Sequence, residues 1–172
     1  SSRTYYKTDS HWNSYGAMLS GLHILNSDDF FFTTPPSADS FQPKDTVFAQ
    51  MDLTKMLMMH IPEKSAYYVY NSESHAVELS GMSDDIGFEG GVDTRERHYT
   101  NDSQKIKVSI MGDSFCEGLI PYVKEYCGEL HIFARQKFDK KFVEKYPSDV
   151  LILQVAERNI DKFIDNYWSV AR

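Results

Sequence analysis

The residues best placed to do chemistry are Gly112-Asp113-Ser114-Phe115. They follow an apolar run, Ile106 to Met111, that reads as a strand, and they precede a stretch with helical patterning. In open α/β sheets ligands bind at the carboxyl ends of strands. A serine at such a turn exposes its hydroxyl, and its own N–H points outward at a helix N-terminus, where negative charge is favoured. A serine nucleophile wants that pairing: an attacking oxygen beside a donor for the oxyanion. The non-catalytic reading is that Asp113 or Ser114 simply caps the helix.

A serine needs a base, and the base needs a carboxylate to fix its tautomer. Thr8-Asp9-Ser10-His11-Trp12-Asn13 offers both, with Asp9 two positions from His11 in a polar loop. That spacing lets Asp9 orient the imidazole. The competing reading is a polar loop whose Asp caps a backbone turn. His11 and Ser114 are 103 positions apart, so spacing alone does not join them.

The elements that would carry these residues follow from periodicity. Met18, Gly21, Leu22 and Leu25 recur at helical spacing, with Asn13 or Ser14 as cap. Met51 to Met58 suggests a short apolar helix ending before Pro62, its methionines read as core filler. Tyr67–Tyr70 and Ala76–Leu79 flank Asn71-Ser72-Glu73-Ser74 and predict a β-hairpin. Thr34–Ser37 reads as a loop, and 80–104, rich in Gly, Ser, Asp and Arg, as a long surface loop. Its Arg95-Glu96-Arg97-His98 run is either a hold for an anionic substrate group or a solvated loop. The last third alternates: strand 106–111, helix 115–127, strand 130–133, helix 138–146, strand 149–155, helix 160–170. This order predicts a parallel sheet with right-handed crossovers, and the apolar centre of 149–155 predicts burial on both faces.

Length and composition bound the rest. At 172 residues the chain is expected to be a single domain, 1–172, with a core of its own. A net charge of −7 without a basic cluster excludes a nucleic-acid binder and an anionic membrane surface as partner. No apolar run reaches the ~20 residues that span a bilayer. Cys116 and Cys127, roughly 16 Å apart by rise if they share one helix, cannot form a disulfide. Scattered histidines and no Cys-x-x-Cys argue against zinc, so no metal is expected. Eleven Tyr and eleven Phe give a ring-rich chain, most of it core, with sugar or peptide stacking as the functional reading.

Three blocks together resemble a known family. Tyr6-Lys7-Thr8-Asp9-Ser10-His11-Trp12-Asn13 followed by Gly16-Ala17, then Met111 to Phe115, then Val155-Ala156-Glu157-Arg158-Asn159-Ile160 are similar, in order, to motifs of the SGNH-hydrolase-like polysaccharide O-acetyltransferases of the AlgX and AlgJ type and their Asp-His-His-Trp relatives. Residues 27–104 match only loosely. The resemblance implies a three-layer α/β/α fold with a mostly parallel sheet and permuted motif order, the hairpin being a small insertion. It also implies a triad of Ser114 as nucleophile, His11 as base and Asp9 as carboxylate. The backbone N–H of Ser114, with Arg158, Asn159 and Trp12, are the further candidates for binding the oxyanion or substrate. Arg158 and Asn159 read equally well as a salt bridge and a helix cap.

The function so implied is transfer of acetyl groups to hydroxyls of a cell-surface or secreted polysaccharide through a serine acyl-enzyme, without a cofactor. The expected partners are the polysaccharide and a membrane-bound O-acyltransferase, as a separate or fused protein, that delivers the acetyl group. The expected location is extracytoplasmic, and the chain is expected to be a fragment of a longer surface or membrane-attached protein. The alternatives are an acetyl esterase of the same fold and a non-catalytic polysaccharide-binding or scaffold module. A serine peptidase is disfavoured, because the Gly-x-Ser-x-Gly elbow is missing.

Overall fold

The computed structural model describes residues 3–27, 30, 32, 36–49, 51–79, 85–89, 92–134 and 139–170; for 85–89, 92–95, 166 and 168–170 it describes the backbone alone. The chain divides into two compact units, Ser1–Glu73 with Pro121–Val123, and Ser74–Ile120 with Lys124–Arg172.

In the first unit, helix α1 (Ser14–Leu25) begins where Asn13 accepts a hydrogen bond from the Gly16 N–H at 2.9 Å. Its Ala17, Met18, Leu22 and Leu25 are buried, the face that the spacing predicts. Gly16 is required by contact: a Cβ there would lie 2.2 Å from the Thr4 carbonyl oxygen. That oxygen also takes the Asn13 N–H, at 2.9 Å, so the entering segment is clamped to the start of α1.

Strands β1 (Phe41–Phe48) and β2 (Glu63–Tyr70) form an antiparallel ribbon, Phe41 opposite Tyr70 and Phe48 opposite Glu63. Tyr122 is buried in this unit. Its hydroxyl pairs with the Ser14 hydroxyl and its ring meets Phe41 edge-on at 5.3 Å. Helix α2 (Asp52–Met56) lies between the two strands in sequence. Its apolar residues are not core, contrary to the sequence expectation: Met56, Leu57 and Met58 are 77%, 69% and 92% exposed. Five residues make barely more than one turn, and Met58, at φ 53°, turns the chain out of the helix.

The second unit is built on a six-stranded sheet: β3 (Val77–Glu78), β4 (Asp85–Glu89), β5 (Val92–Thr100), β6 (Lys107–Gly112), β7 (Glu129–Ala134) and β8 (Val150–Gln154). The order is β3-β5-β7-β6-β8, with β4 also paired to β5. The parallel reading holds for β6 with β7 and for β6 with β8. It fails on the other side, where β5 runs antiparallel to β7, and β3 and β4 run antiparallel to β5. The sheet is therefore mixed.

The expected long loop at 80–104 contains β4 and β5, while 80–84, 90 and 91 lie outside the described residues. Pairing to the buried strand β7 overrides a composition that favours turns. The expected hairpin is absent too. Tyr67–Tyr70 end β2, and Val77–Glu78 pair with Tyr99 and Thr100 of β5. What looked like a turn is held by long-range contacts instead. Asn71 N–H donates to the Ser40 carbonyl, and the buried Glu125 carboxylate accepts from the Ser74 hydroxyl at 2.5 Å and the His75 N–H at 3.0 Å.

Val108, Ile110, Leu130 and Ile132 are fully buried in the centre of the sheet. Met111, Phe133, Phe142 and Tyr146 form a cluster with the short helix α4 (Lys140–Lys145), which Asp139 caps; Phe138, the expected start of that helix, is outside the described residues. The single helix expected at 115–127 is instead a 3₁₀ turn (Cys116–Leu119), one α turn, α3 (Ile120–Val123), and a second 3₁₀ turn (Lys124–Tyr126). Pro121 at the start of α3 lacks the N–H that a continuous helix would use there. Helix α5 (Ile160–Val170) forms with the bounds the sequence predicts. Strand β8 is not buried on both faces: Leu151 and Leu153, two apart and so on one face, are 36% and 44% exposed. No helix among the described residues is long and apolar enough to cross a membrane.

Candidate functional site

The candidate residues fall in both units. Asp9, His11 and Trp12 belong to the first; Asp113, Ser114, Arg158 and Asn159 belong to the second.

In the first unit, Asp9 and His11 meet as the two-residue spacing predicts. The Asp9 Oδ1 lies 2.6 Å from His11 Nδ1 and also accepts the His11 backbone N–H at 2.8 Å. An ionised Asp9 therefore accepts a hydrogen bond from Nδ1–H, and the basic lone pair of the neutral ring falls on Nε2. Burial pushes the Asp9 carboxyl up. The N–H groups of His11 and Asp52 and the His11 ring outweigh that and hold it below the usual carboxylate range.

Two residues absent from the sequence reading fix this loop. Asp52, at the start of α2, donates its N–H to Asp9 Oδ2 at 3.2 Å. Its carboxylate accepts the Ser10 N–H at 2.8 Å, pairs with the Ser10 hydroxyl, and lies 3.7 Å from His11 Nδ1. Glu63, the first residue of β2, is buried and accepts from the Thr8 hydroxyl at 2.5 Å, the Thr8 N–H at 2.9 Å and the Lys7 N–H at 2.9 and 3.0 Å. Burial raises the Glu63 carboxyl, but these donors and the Lys7 charge bring it below its ordinary value. In the sequence, the one signal for Glu63 is an acid just after Pro62 at the head of a ring-rich strand; Asp52 has a helix-start position and nothing more.

Asp9, His11 and Asp52 each offer one ligand atom, all within 4.8 Å of one another. The donor set suits a divalent ion, but the 2.6 Å contact between His11 Nδ1 and Asp9 Oδ1 is a hydrogen bond. Two ligands of a tetrahedral zinc would stand roughly 3.3 Å apart. The contact fixes the orientation of the imidazole.

In the second unit, Ser114 lies two residues beyond the end of β6, after Asp113, and is exposed, as expected of a residue at a strand's carboxyl end. Gly112 lets β6 and β8 close up here: a Cβ would sit 2.1 Å from the Gln154 carbonyl oxygen. Asp113 is 1% exposed and organises the turn. Its Oδ1 accepts the Phe115 N–H at 3.1 Å; its Oδ2 accepts the Ala156 N–H at 2.7 Å and the Asn159 side-chain amide at 3.1 Å. Phe115, not Asp113 or Ser114, stands at the cap of the 3₁₀ turn that follows, and no side chain caps it; the Asp113 carboxylate instead ties the serine turn to the segment after β8. Buried Asn159 spends a side-chain N–H on that tie, which makes it a brace of the turn. The Arg158 guanidinium carbon lies 5.4 Å from the Phe115 ring centroid, a cation–π contact rather than the salt bridge weighed earlier. Trp12 is half-buried, and its backbone bridges to Tyr5. The Arg95–His98 run lies in β5; there Arg97 pairs with Glu78 at 3.6 Å and His98 is fully buried.

No family model matches this sequence, and no curated protein does. Solved structures do match in fold. Bacillus cereus PatB1 with a sulfonyl adduct superposes with a TM-score of 0.68 at 17% identity, over 91% of this chain and 61% of that one. A DHHW family protein from Eubacterium siraeum DSM 15702 gives a TM-score of 0.66 at 12% identity, over 94% of this chain and 64% of that one. A further structure of PatB1 gives 0.64 at 16%, over 91% and 63%. The chain therefore has the mixed α/β fold of these proteins and spans a little over three fifths of their length.

Proposed function

We propose that this chain is a serine-dependent O-acetyltransferase domain of SGNH-like three-layer architecture, acting on saccharide hydroxyls. The observation that carries the reading is the 2.6 Å contact of Asp9 with His11 Nδ1, which prepares the ring as a base through Nε2. The exposed Ser114 at the end of β6 supplies a nucleophile of the right type. The sulfonyl adduct on PatB1 adds support, since sulfonyl reagents are attacked by activated nucleophiles.

In this reading His11 Nε2 takes the Ser114 hydroxyl proton as the oxygen attacks the acetyl carbonyl of the donor ester. The Ser114 N–H donates to the oxyanion, with Arg158 and Trp12 as further contacts. The intermediate collapses, and the donor alkoxide leaves with the proton from His11. An acceptor hydroxyl then attacks the acetyl-serine and gives its proton to His11, which returns it to Ser114. Asp9 stabilises the imidazolium in both halves. No step calls for a cofactor. Water in place of the acceptor would make the same residues an esterase. An extracytoplasmic setting, a polysaccharide acceptor and a membrane-bound acyl-delivering partner complete the proposal.

The test is intact-mass analysis after incubation with an activated acetyl ester, beside Ser114→Ala and His11→Ala. One added acetyl group on the parent alone supports the reading; its movement to sugar oligomers rather than to water separates transferase from esterase. A folded parent with no adduct and no turnover overturns it in favour of a binding module.

A further inference from the structure

The first unit carries a cleft of about 230 Å³ beside the segment that leads into Asp9. Arg3, Tyr5, Lys7, Tyr15, Lys64 and Tyr68 line it, together with Glu63. We propose that this cleft binds an anionic pyranose, one bearing a carboxylate or a phosphate. The inference rests on the reading of the chain as one that acts on saccharide hydroxyls, and it adds the charge class of the acceptor.

Charge is the first argument. The chain has a net charge of −7, yet three cations converge here. Among the described residues, none of Arg3, Lys7 and Lys64 makes an ion pair, and all three are exposed. The carboxylate in the lining, Glu63, is attracted to Lys7 and offsets one of the three positive charges, so the lining stays net positive. Glu63 is buried, and its oxygens are occupied by the Lys7 and Thr8 N–H groups and the Thr8 hydroxyl. The excess of positive charge around one concavity is self-repelling, and a bound anion relieves that repulsion.

Shape is the second. Tyr15 and Tyr68 rings stand 5.4 Å apart at 41°, and Tyr5 is 52% exposed. Ring faces at the wall of a polar cleft suit the C–H face of a pyranose, which stacks on aromatics while its hydroxyls reach polar groups. The volume is below that of the pockets that hold drug-sized ligands, ~300 Å³ and above, and suits one sugar ring of a chain that continues outside.

Preorganisation is the third. The Asn13 side-chain amide donates to the Arg3 carbonyl at 2.8 Å and the Tyr5 carbonyl at 3.4 Å, while Glu63 holds the Lys7 N–H. The backbone bearing Arg3, Tyr5 and Lys7 is thus fixed before any ligand arrives, which lowers the ordering cost of binding. The same Glu63 holds Thr8, next to Asp9, so cleft and base share one anchored segment.

The test is an NMR titration of the Ser114→Ala protein with trigalacturonate, glucose 1-phosphate and neutral maltotriose. The expected result is shifts at Tyr5, Lys7, Lys64 and Tyr68, with trigalacturonate or the sugar phosphate binding about tenfold or more tightly than maltotriose. Whichever anion binds identifies carboxylate or phosphate as the recognised group. Lys7→Gln with Lys64→Gln, at unchanged melting temperature, is expected to weaken anion binding about tenfold and leave maltotriose unaffected. Equal affinity for neutral and anionic sugars, or shifts confined to other surfaces, overturns the proposal. Acetyl-serine formation by the parent is scored separately, so a dead nucleophile and an empty cleft give different results.

Discussion

Replacing Glu63 by Gln removes one charge and keeps the shape of the side chain that anchors residues 7 and 8. In the parent, the carboxylate accepts from the Lys7 N–H, the Thr8 N–H and the Thr8 hydroxyl. Hydrogen bonds to an ionised acceptor contribute about 1.5–3 kcal/mol against about 0.5–1.5 for neutral ones. With the amide carbonyl able to serve some of these donors, the expected loss is about 2 kcal/mol. For a 172-residue chain the entropy of unfolding is about 0.36 kcal/mol/K, so the melting temperature should fall by about 6 °C. The pH dependence gives the sharper check. Glu63 has a folded pKa below its unfolded value, so its contribution is complete above the ordinary Glu range and is lost as pH falls through the folded value. Parent and Glu63→Gln should therefore differ fully at pH 7 and begin to converge as the pH falls below the ordinary Glu range. Differential scanning fluorimetry from pH 7 to pH 3 makes the comparison. A gap that stays constant over that range would show that the charge is not what anchors the loop.

Three further outcomes follow from contacts described above. Gly16→Ala drives a methyl group into the Thr4 carbonyl oxygen, so it should cost about 2 kcal/mol or more in urea unfolding and weaken acetyl-serine formation; a neutral result would mean that residues 3–5 move away freely. Asp113→Asn turns an N–H₂ toward donors from Phe115, Ala156 and Asn159, and should destabilise the second unit by about 2 kcal/mol, read by the same unfolding series. Buried His98 and His131 face each other through their Nδ1 atoms at 2.8 Å, against Tyr146. Burial lowers the His131 pKa despite Glu129, so the unfolded chain binds more protons below pH ~6.5. Stability should fall as pH drops through that value, and His131→Phe should flatten the profile between pH 7.5 and 5.

What the sequence made legible, and what it did not, follows the range of the interactions. Helices α1 and α5 and strands β6, β7 and β8 stand where periodicity puts them, because their burial repeats within a few residues. The Asp9–His11 contact was legible for the same reason, being two positions long. Strand β5 was hidden, since its polar, charged sequence takes its place from pairing with β7, some 35 positions on. The ribbon of β1 and β2 was misread as a hairpin one step later in the chain, because the register from Phe41–Tyr70 to Phe48–Glu63 spans the Met-rich segment. Asp52 and Glu63 act on residues 42 to 56 positions away, and no local pattern marks a carboxylate whose partners are backbone N–H groups elsewhere.

The placement of the two cysteines makes the molecule report on itself. Cys116 is 0% and Cys127 1% exposed, both lie in the second unit, and the chain has no others. Burial pushes both thiols up, Cys127 to about 12, so neither is a thiolate at neutral pH while the surrounding structure is closed. Alkylation by a small maleimide then proceeds only through opening of that unit, and its rate measures the free energy of the opening. The first unit carries no thiol and stays silent. One unmodified protein, followed by mass over time, thus separates the breathing of the half that holds Ser114 from that of the half that holds His11.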